Sequence, residues 1–150
     1  MQTTLLLVQF MCKPVALFCC ALFAGASAYI SFVEDPTITD GGRDLIGSYL
    51  MFAKPRPAVF QTLFATLGFL AGTAAGIAGA GFWWVSGGLL MGLCGVVHVS
   101  IVLPQTRRLL DVDLGGDQAV VSGSTTKLAR LHAAQTIAAL ASLFAFILAF

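Results

Sequence analysis

The chain has 150 residues, of which 58% are apolar and only 10% are charged, and its formal net charge is +1. Soluble domains carry about 25% charged residues, so this composition indicates a protein surrounded by lipid. At ~20 apolar residues for each membrane crossing, the length allows about four spans and leaves no room for a separate domain. A net charge this small gives no electrostatic case for binding nucleic acid, which needs a clustered basic face.

The first predicted span covers residues 14–33, after a short apolar run that Lys13 closes. Pro14 suits the first turn of a helix, where its missing N–H does no harm. Glu34, Asp35 and Pro36 come next. Two acids followed by a proline predict an abrupt helix end and a polar loop over residues 34–57.

The second and third predicted spans, residues 58–79 and 82–103, are joined by a turn too short to reach anywhere but the neighbouring helix. They therefore predict an antiparallel hairpin. Both carry glycines at four-residue spacing, which lets backbones approach closely in lipid, where dispersion and not hydrophobic burial drives helix association. The glycines expected to pack against other helices are Gly68, Gly72, Gly76, Gly88 and Gly92.

The fourth predicted span covers residues 128–150 and holds 23 residues with one charged side chain, Arg130. At ~1.5 Å rise per residue it crosses a hydrocarbon core of ~30 Å. The four spans together predict an all-α fold, an integral membrane four-helix bundle with antiparallel up-down topology, in a single transmembrane domain over residues 1–150.

Basic residues are distributed unequally between the predicted loops. Loops one and three share a side and hold seven of them, whereas Lys13 stands alone on the other side. The positive-inside rule then places loops one and three in the cytoplasm or the mitochondrial matrix. Four of these residues are expected to contact lipid headgroups, namely Lys54, Arg56, Arg107 and Arg108.

The same topology brings Glu34, His98 and His132 to one membrane level. Ionisable side chains inside a span are costly unless they face the bundle interior and find partners, so both histidines are candidate functional residues. Three interpretations remain open: a pocket in which a histidine acts as general base, a metal or haem site with two histidine ligands, or purely structural hydrogen bonds. The cysteines lack CxxC spacing and are expected to be buried small apolar residues, so we predict no metal and no cofactor.

Several segments resemble the anthrone oxygenase family of small four-helix membrane proteins. They are FAGASAYISFVEDP at the end of span one, the glycine-rich span two, LPQTRRLLD after span three and LARLHAAQT at the start of span four. The resemblance implies a four-helix bundle and, in some members, oxygen-dependent oxidation of a polycyclic anthrone to a quinone without metal or organic cofactor. Where members often carry Asn, an aromatic residue and Arg, this chain has Thr106, Leu128 and Gln135.

Two functions follow as hypotheses. The first is a non-catalytic accessory subunit of a larger membrane complex, respiratory or otherwise energy-transducing, whose partners are other membrane subunits and lipids. It is favoured by the several glycine stripes and by the lack of an evident catalytic set, and it suits the mitochondrial inner membrane better than the plasma membrane. The alternative is a cofactor-independent oxygenase acting on a lipophilic anthrone, phenolic or quinone-like ligand, with His132 as base and Glu34 or His98 assisting.

Overall fold

Four long helices make up the computed structural model, which describes residues 2–40, 55–113 and 118–150, with side chains omitted at 55–57, 109–113 and 118–122. Helix α1 covers Gln2–Asp40 and includes a π-helical segment over Ile30–Glu34. Helix α2 consists of Pro55–Ala75 followed by Gly76–Ala80. Helix α3 comprises Phe82–Val97, a π-helical segment over His98–Val102, and Leu103–Asp113, and α4 covers Gln118–Leu148. No strand occurs within these ranges.

Each helix contains a stretch that is long and apolar enough to cross a membrane, which is the pattern of a multi-pass membrane protein. Large apolar side chains cover much of the outer surface. Phe10, Phe32, Ile77 and Ile137 are each at least 70% exposed. Exposed apolar area of this extent is costly in water and ordinary in lipid.

The helices are longer than the sequence predicts. Helix α1 begins at Gln2 and not near residue 14, so Pro14 lies inside it. An internal proline is tolerated here because it removes one hydrogen bond from a helix long enough to keep its remaining ladder, as in many membrane helices. Helix α4 begins at Gln118, ten residues before its predicted start, and much of the predicted loop after α3 is helical.

Two wide turns explain how α1 and α3 continue past a proline. The Asp35 N–H donates to the Ile30 carbonyl, and the Leu103 N–H donates to the His98 carbonyl, each bond reaching back five residues. Pro36 and Pro104 follow directly. A proline ring clashes with the carbonyl four residues before it in a regular helix, and a π-turn moves that carbonyl aside. The predicted helix end at residues 34–36 is therefore wrong, because the helix widens there and does not stop.

Each helix packs against two others, so that α1 and α3 each contact both α2 and α4. At one end, Gln9 Nε2 donates to the Ala78 carbonyl at 2.6 Å, and Trp84 Nε1 donates to the Ala149 carbonyl at 3.2 Å. The start of α1 thus lies beside the end of α2, and the start of α3 lies beside the end of α4. The core between the helices includes Phe23 and Phe146, both fully buried.

Glycines bring α2 and α3 into backbone contact. A Cβ placed at Gly88 would lie 2.7 Å from the Thr73 backbone nitrogen, and one at Gly72 would lie 3.0 Å from the Gly88 Cα. In the last turn of α2 and directly after it, Gly79 and Gly81 have φ of 96° and 108°, a backbone conformation that L side chains disfavour. All five glycines for which packing was predicted lie where an added Cβ would come within 3.0 Å of another helix.

Candidate functional site

A buried, hydrogen-bonded pair of side chains, Asp35 and His132, joins α1 to α4 at the end of the bundle opposite Trp84. His132 Nδ1 lies 2.8 Å from Asp35 Oδ2 and 3.0 Å from Asp35 Oδ1. The histidine is 2% exposed and the aspartate 8%. Polar groups withdrawn from water this far require a hydrogen-bond partner, and these two side chains supply one another.

The pairing fixes how the imidazole can act. An ionised carboxylate only accepts hydrogen bonds, so the neutral ring must carry its proton on Nδ1, which leaves a lone pair on Nε2. Within the described part of the chain, Nε2 makes no hydrogen bond of its own. A histidine whose one nitrogen is held by a carboxylate and whose other nitrogen is available is the arrangement of a general base.

Further hydrogen bonds hold α1 and α4 in register around the pair. Ser31 Oγ and Thr136 Oγ1 lie 2.9 Å apart, and Thr136 Oγ1 also donates to the His132 carbonyl at 3.0 Å. On α2, Gln61 Nε2 lies 3.3 Å from Ser27 Oγ of α1. Ser31 and Thr136 thus tie α1 to α4 beside the pair, whereas Gln61 ties α2 to α1 at Ser27, eight residues before Asp35.

Gln135 lies one turn after His132 and connects α4 to α3. Its Nε2 donates to the Cys94 carbonyl at 3.1 Å, and the same carbonyl accepts the backbone N–H of His98. The Gln135 side chain is 3% exposed, and its Oε1 atom is buried with no hydrogen-bond partner in the described structure. The amide orientation is determined by chemistry, because only the NH₂ group can donate to a carbonyl.

The residues predicted from sequence are placed as follows. His132 pairs with Asp35, and His98 is buried at the start of the π-helical segment of α3. Glu34 is half-buried, and its Oε2 atom has no hydrogen-bond partner among the described residues. Arg107 and Arg108 are exposed on α3. Lys54 lies outside the described residues, and Arg56 belongs to α2 with its side chain undescribed.

Sequence reasoning missed Asp35 as the partner of His132. The two adjacent acids point in different directions, and a regular helix would turn Glu34 inward, seven residues after the buried Ser27. The five-residue step of the π-turn instead follows the buried Ile30 with Asp35 and then Ile38. The only available signal was the position of Asp35 directly before Pro36.

A second surface feature is an open groove of about 590 Å³ between the outer faces of α2 and α3. Its walls are mainly apolar, and its floor is shallow because small residues stand where the two helices meet. The lining includes Thr66, Phe69, Gly92, Val96 and Ser100.

In the described residues, no group of three or more His, Cys, Asp and Glu side chains is arranged to hold a metal ion. The cysteines there are free thiols, and Cys19, Cys20 and Cys94 are buried. Comparison of the chain with protein-family models, with curated proteins and with solved structures finds no match in any of the three.

Proposed function

We propose that this protein is a membrane enzyme that removes a proton from a lipophilic substrate and allows O₂ to oxidise the resulting anion. The buried Asp35–His132 pair is the observation that carries this proposal. It supplies a base already held in one orientation, and it lies between apolar helices that suit an apolar substrate. The resemblance to anthrone oxygenases names the reaction class and an anthrone as the substrate to test.

The reaction would begin with transfer of an acidic C–H proton of the anthrone to His132 Nε2. The Asp35 carboxylate stabilises the imidazolium that forms, as buried carboxylates do beside catalytic histidines. The carbanion donates electrons to O₂ and bonds to it, and the imidazolium returns its proton to give a hydroperoxide. Loss of the remaining C–H proton and cleavage of the O–O bond release water and form the second carbonyl, so one anthrone and one O₂ give one anthraquinone and one water.

The test is oxygen uptake by the purified full chain with anthrone as substrate. General base catalysis contributes ~10²- to 10⁴-fold, so His132→Ala is expected to lower kcat by that range. Asp35→Asn should cause a comparable loss, because the amide leaves the imidazolium without a counter-charge. Asp40→Asn is the matched control, since Asp40 is an exposed aspartate on the same helix, and it should keep full activity. Equal rates for the native chain and His132→Ala would refute the role of this histidine.

The proposal includes a placement in the membrane. The contacts at the two ends of the bundle support helices that alternate in direction, with the Asp35–His132 pair toward the side that carries most basic residues. Arg107 and Arg108 would then meet lipid headgroups on the cytoplasmic or matrix side. The mitochondrial inner membrane remains the favoured location, and protease protection of epitope-tagged loops in isolated mitochondria would test it.

The second candidate is an accessory subunit of a larger membrane complex. The groove between α2 and α3 favours it, because a transmembrane helix of a partner subunit could seat there against small residues. Extraction in mild detergent followed by native electrophoresis would test for the complex. Thr66→Phe should fill the groove and displace the partner, whereas Thr3→Phe, at an exposed position on α1, should not. Migration of the native chain alone would contradict this function.

A further inference from the structure

We infer that the site at His132 binds its ligand in a reduced, hydroxyl-bearing form, a hydroquinone or a phenol with two O–H groups, and that Gln135 Oε1 accepts one of them. This inference rests on the proposed function in that both place the ligand at His132. It adds a second binding residue and a choice between the two redox forms of the ligand.

Gln135 lies one turn from His132 on α4. The two residues are three apart on α4, and side chains at that spacing lie on the same face with Cβ atoms ~5–6 Å apart. The bond to the Cys94 carbonyl occupies the NH₂ group of Gln135 and leaves Oε1 as the part of the amide able to bind something else. A buried carbonyl oxygen without a partner is unfavourable in a fold, so it points to a hydrogen-bond donor brought by a ligand.

His132 and Gln135 each offer an atom that accepts a hydrogen bond. His132 Nε2 offers a lone pair because Nδ1 carries the proton toward Asp35, and Gln135 Oε1 is an amide carbonyl oxygen. The nearby Thr136 hydroxyl is engaged with the His132 carbonyl and with Ser31. A quinone presents only carbonyl oxygens and would face acceptor against acceptor, whereas a hydroquinone presents two O–H donors to the two acceptors.

The two residues would bind the two hydroxyl groups of one ligand. Donation from one hydroxyl to Gln135 would hold the ring while the other hydroxyl lies against His132 Nε2. Arginine at position 135 would donate hydrogen bonds and would suit a carbonyl or an anion instead. The glutamine in this chain thus predicts a preference for the reduced ligand.

The experiment is calorimetric titration of the purified full chain in detergent, under argon, with a short-chain alkyl 1,4-hydroquinone and with the corresponding quinone. Each lost hydrogen bond lowers affinity roughly five- to tenfold. We expect the hydroquinone to bind at least tenfold more tightly than the quinone. Gln135→Leu should weaken hydroquinone binding about five- to tenfold and leave quinone binding unchanged.

Two further variants separate binding from folding. Gln61→Leu removes another buried glutamine, on α2, and should leave the hydroquinone preference intact. Gln135→Glu, in its protonated form, can donate to the Cys94 carbonyl and keep a carbonyl acceptor, so it should restore the preference that Gln135→Leu loses. Thermal unfolding of each variant shows whether the fold is retained.

Equal affinity of the native chain for the two redox forms would overturn the inference, and so would an unchanged preference in a folded Gln135→Leu variant. The native comparison decides the matter even if that variant does not fold. Because the titration requires no turnover, it tests ligand binding separately from the proposed oxygenase activity. Tight hydroquinone binding without oxygen uptake would refute the oxygenase function and support the ligand site. Anthrone oxidation without a preference for the hydroquinone would support the oxygenase function and refute the ligand site.

Discussion

Replacement of Gly88 by alanine should destabilise the bundle, because the added methyl group has no room. Its Cβ would lie 2.7 Å from the Thr73 backbone nitrogen and 3.1 Å from the Gly72 carbonyl carbon. The shorter distance falls roughly 0.7 Å below ordinary van der Waals contact, and a gap of that size between helices forfeits a quarter to a half of the dispersion energy of the atoms it separates. Both obstructing atoms belong to the backbone of α2, so the whole helix has to move.

Overpacking of this kind costs about 1–3 kcal/mol, against which alanine gains up to ~1 kcal/mol in helix propensity. We expect Gly88→Ala to lose a net ~1–2 kcal/mol, or ~2–8 °C in the unfolding midpoint of the detergent-solubilised protein at ~2–4 °C per kcal/mol. Gly25→Ala is the matched control, since nothing lies within 4 Å of its added Cβ, and it should be neutral or slightly stabilising. If Gly88→Ala unfolds at the same temperature as Gly25→Ala, the close backbone contact between α2 and α3 does not exist.

Two further predictions concern hydrogen bonds between helices. Ser142→Ala removes a 2.7 Å bond to a buried α3 carbonyl and should cost ~1–2 kcal/mol in thermal unfolding. Ser86→Ala, whose hydroxyl bonds only within its own helix, should stay within ~0.5 kcal/mol of the native chain. Trp84→Phe keeps an aromatic ring against Phe146, where the centroid distance is 5.0 Å, but loses the hydrogen bond from Nε1. We therefore expect it to lower the free energy of unfolding by ~1 kcal/mol. A larger effect of Trp83→Phe, at a half-exposed position, would contradict this assignment.

Much of the fold was predictable because apolar length is a strong signal. Four stretches of about 20 apolar residues predict four spanning helices whatever their detailed packing, and the glycine spacing indicated which faces meet. Helix ends were harder to place. Rules that stop a helix at a proline assume a regular α-helix, and both Pro36 and Pro104 follow a π-turn that accommodates the ring.

The candidate site was predictable only in part, because the π-turn also changes which side chains of α1 face inward. His132 stood out as an ionisable residue within an apolar span, but its partner depended on the register of α1. Counting in steps of three and four from Ser27 turns Glu34 inward, whereas the five-residue step from Ile30 turns Asp35 inward. One extra residue in a turn decides which of the two adjacent acids, Glu34 or Asp35, faces the bundle interior. Sequence periodicity over a single turn cannot detect that change.

The separation of Asp35 and His132 along the chain, 97 residues, has a consequence for biosynthesis. Chains are made from the N-terminus, so Asp35 is synthesised before the ribosome has produced His132. Until α4 is in place, the Asp35 carboxyl group lacks its hydrogen-bond partner, and packing of the last helix is the step that completes the buried pair. A chain ending before position 132 would leave this acid without its partner among apolar helices, which costs free energy. The pair thereby links completion of the fold to completion of the site.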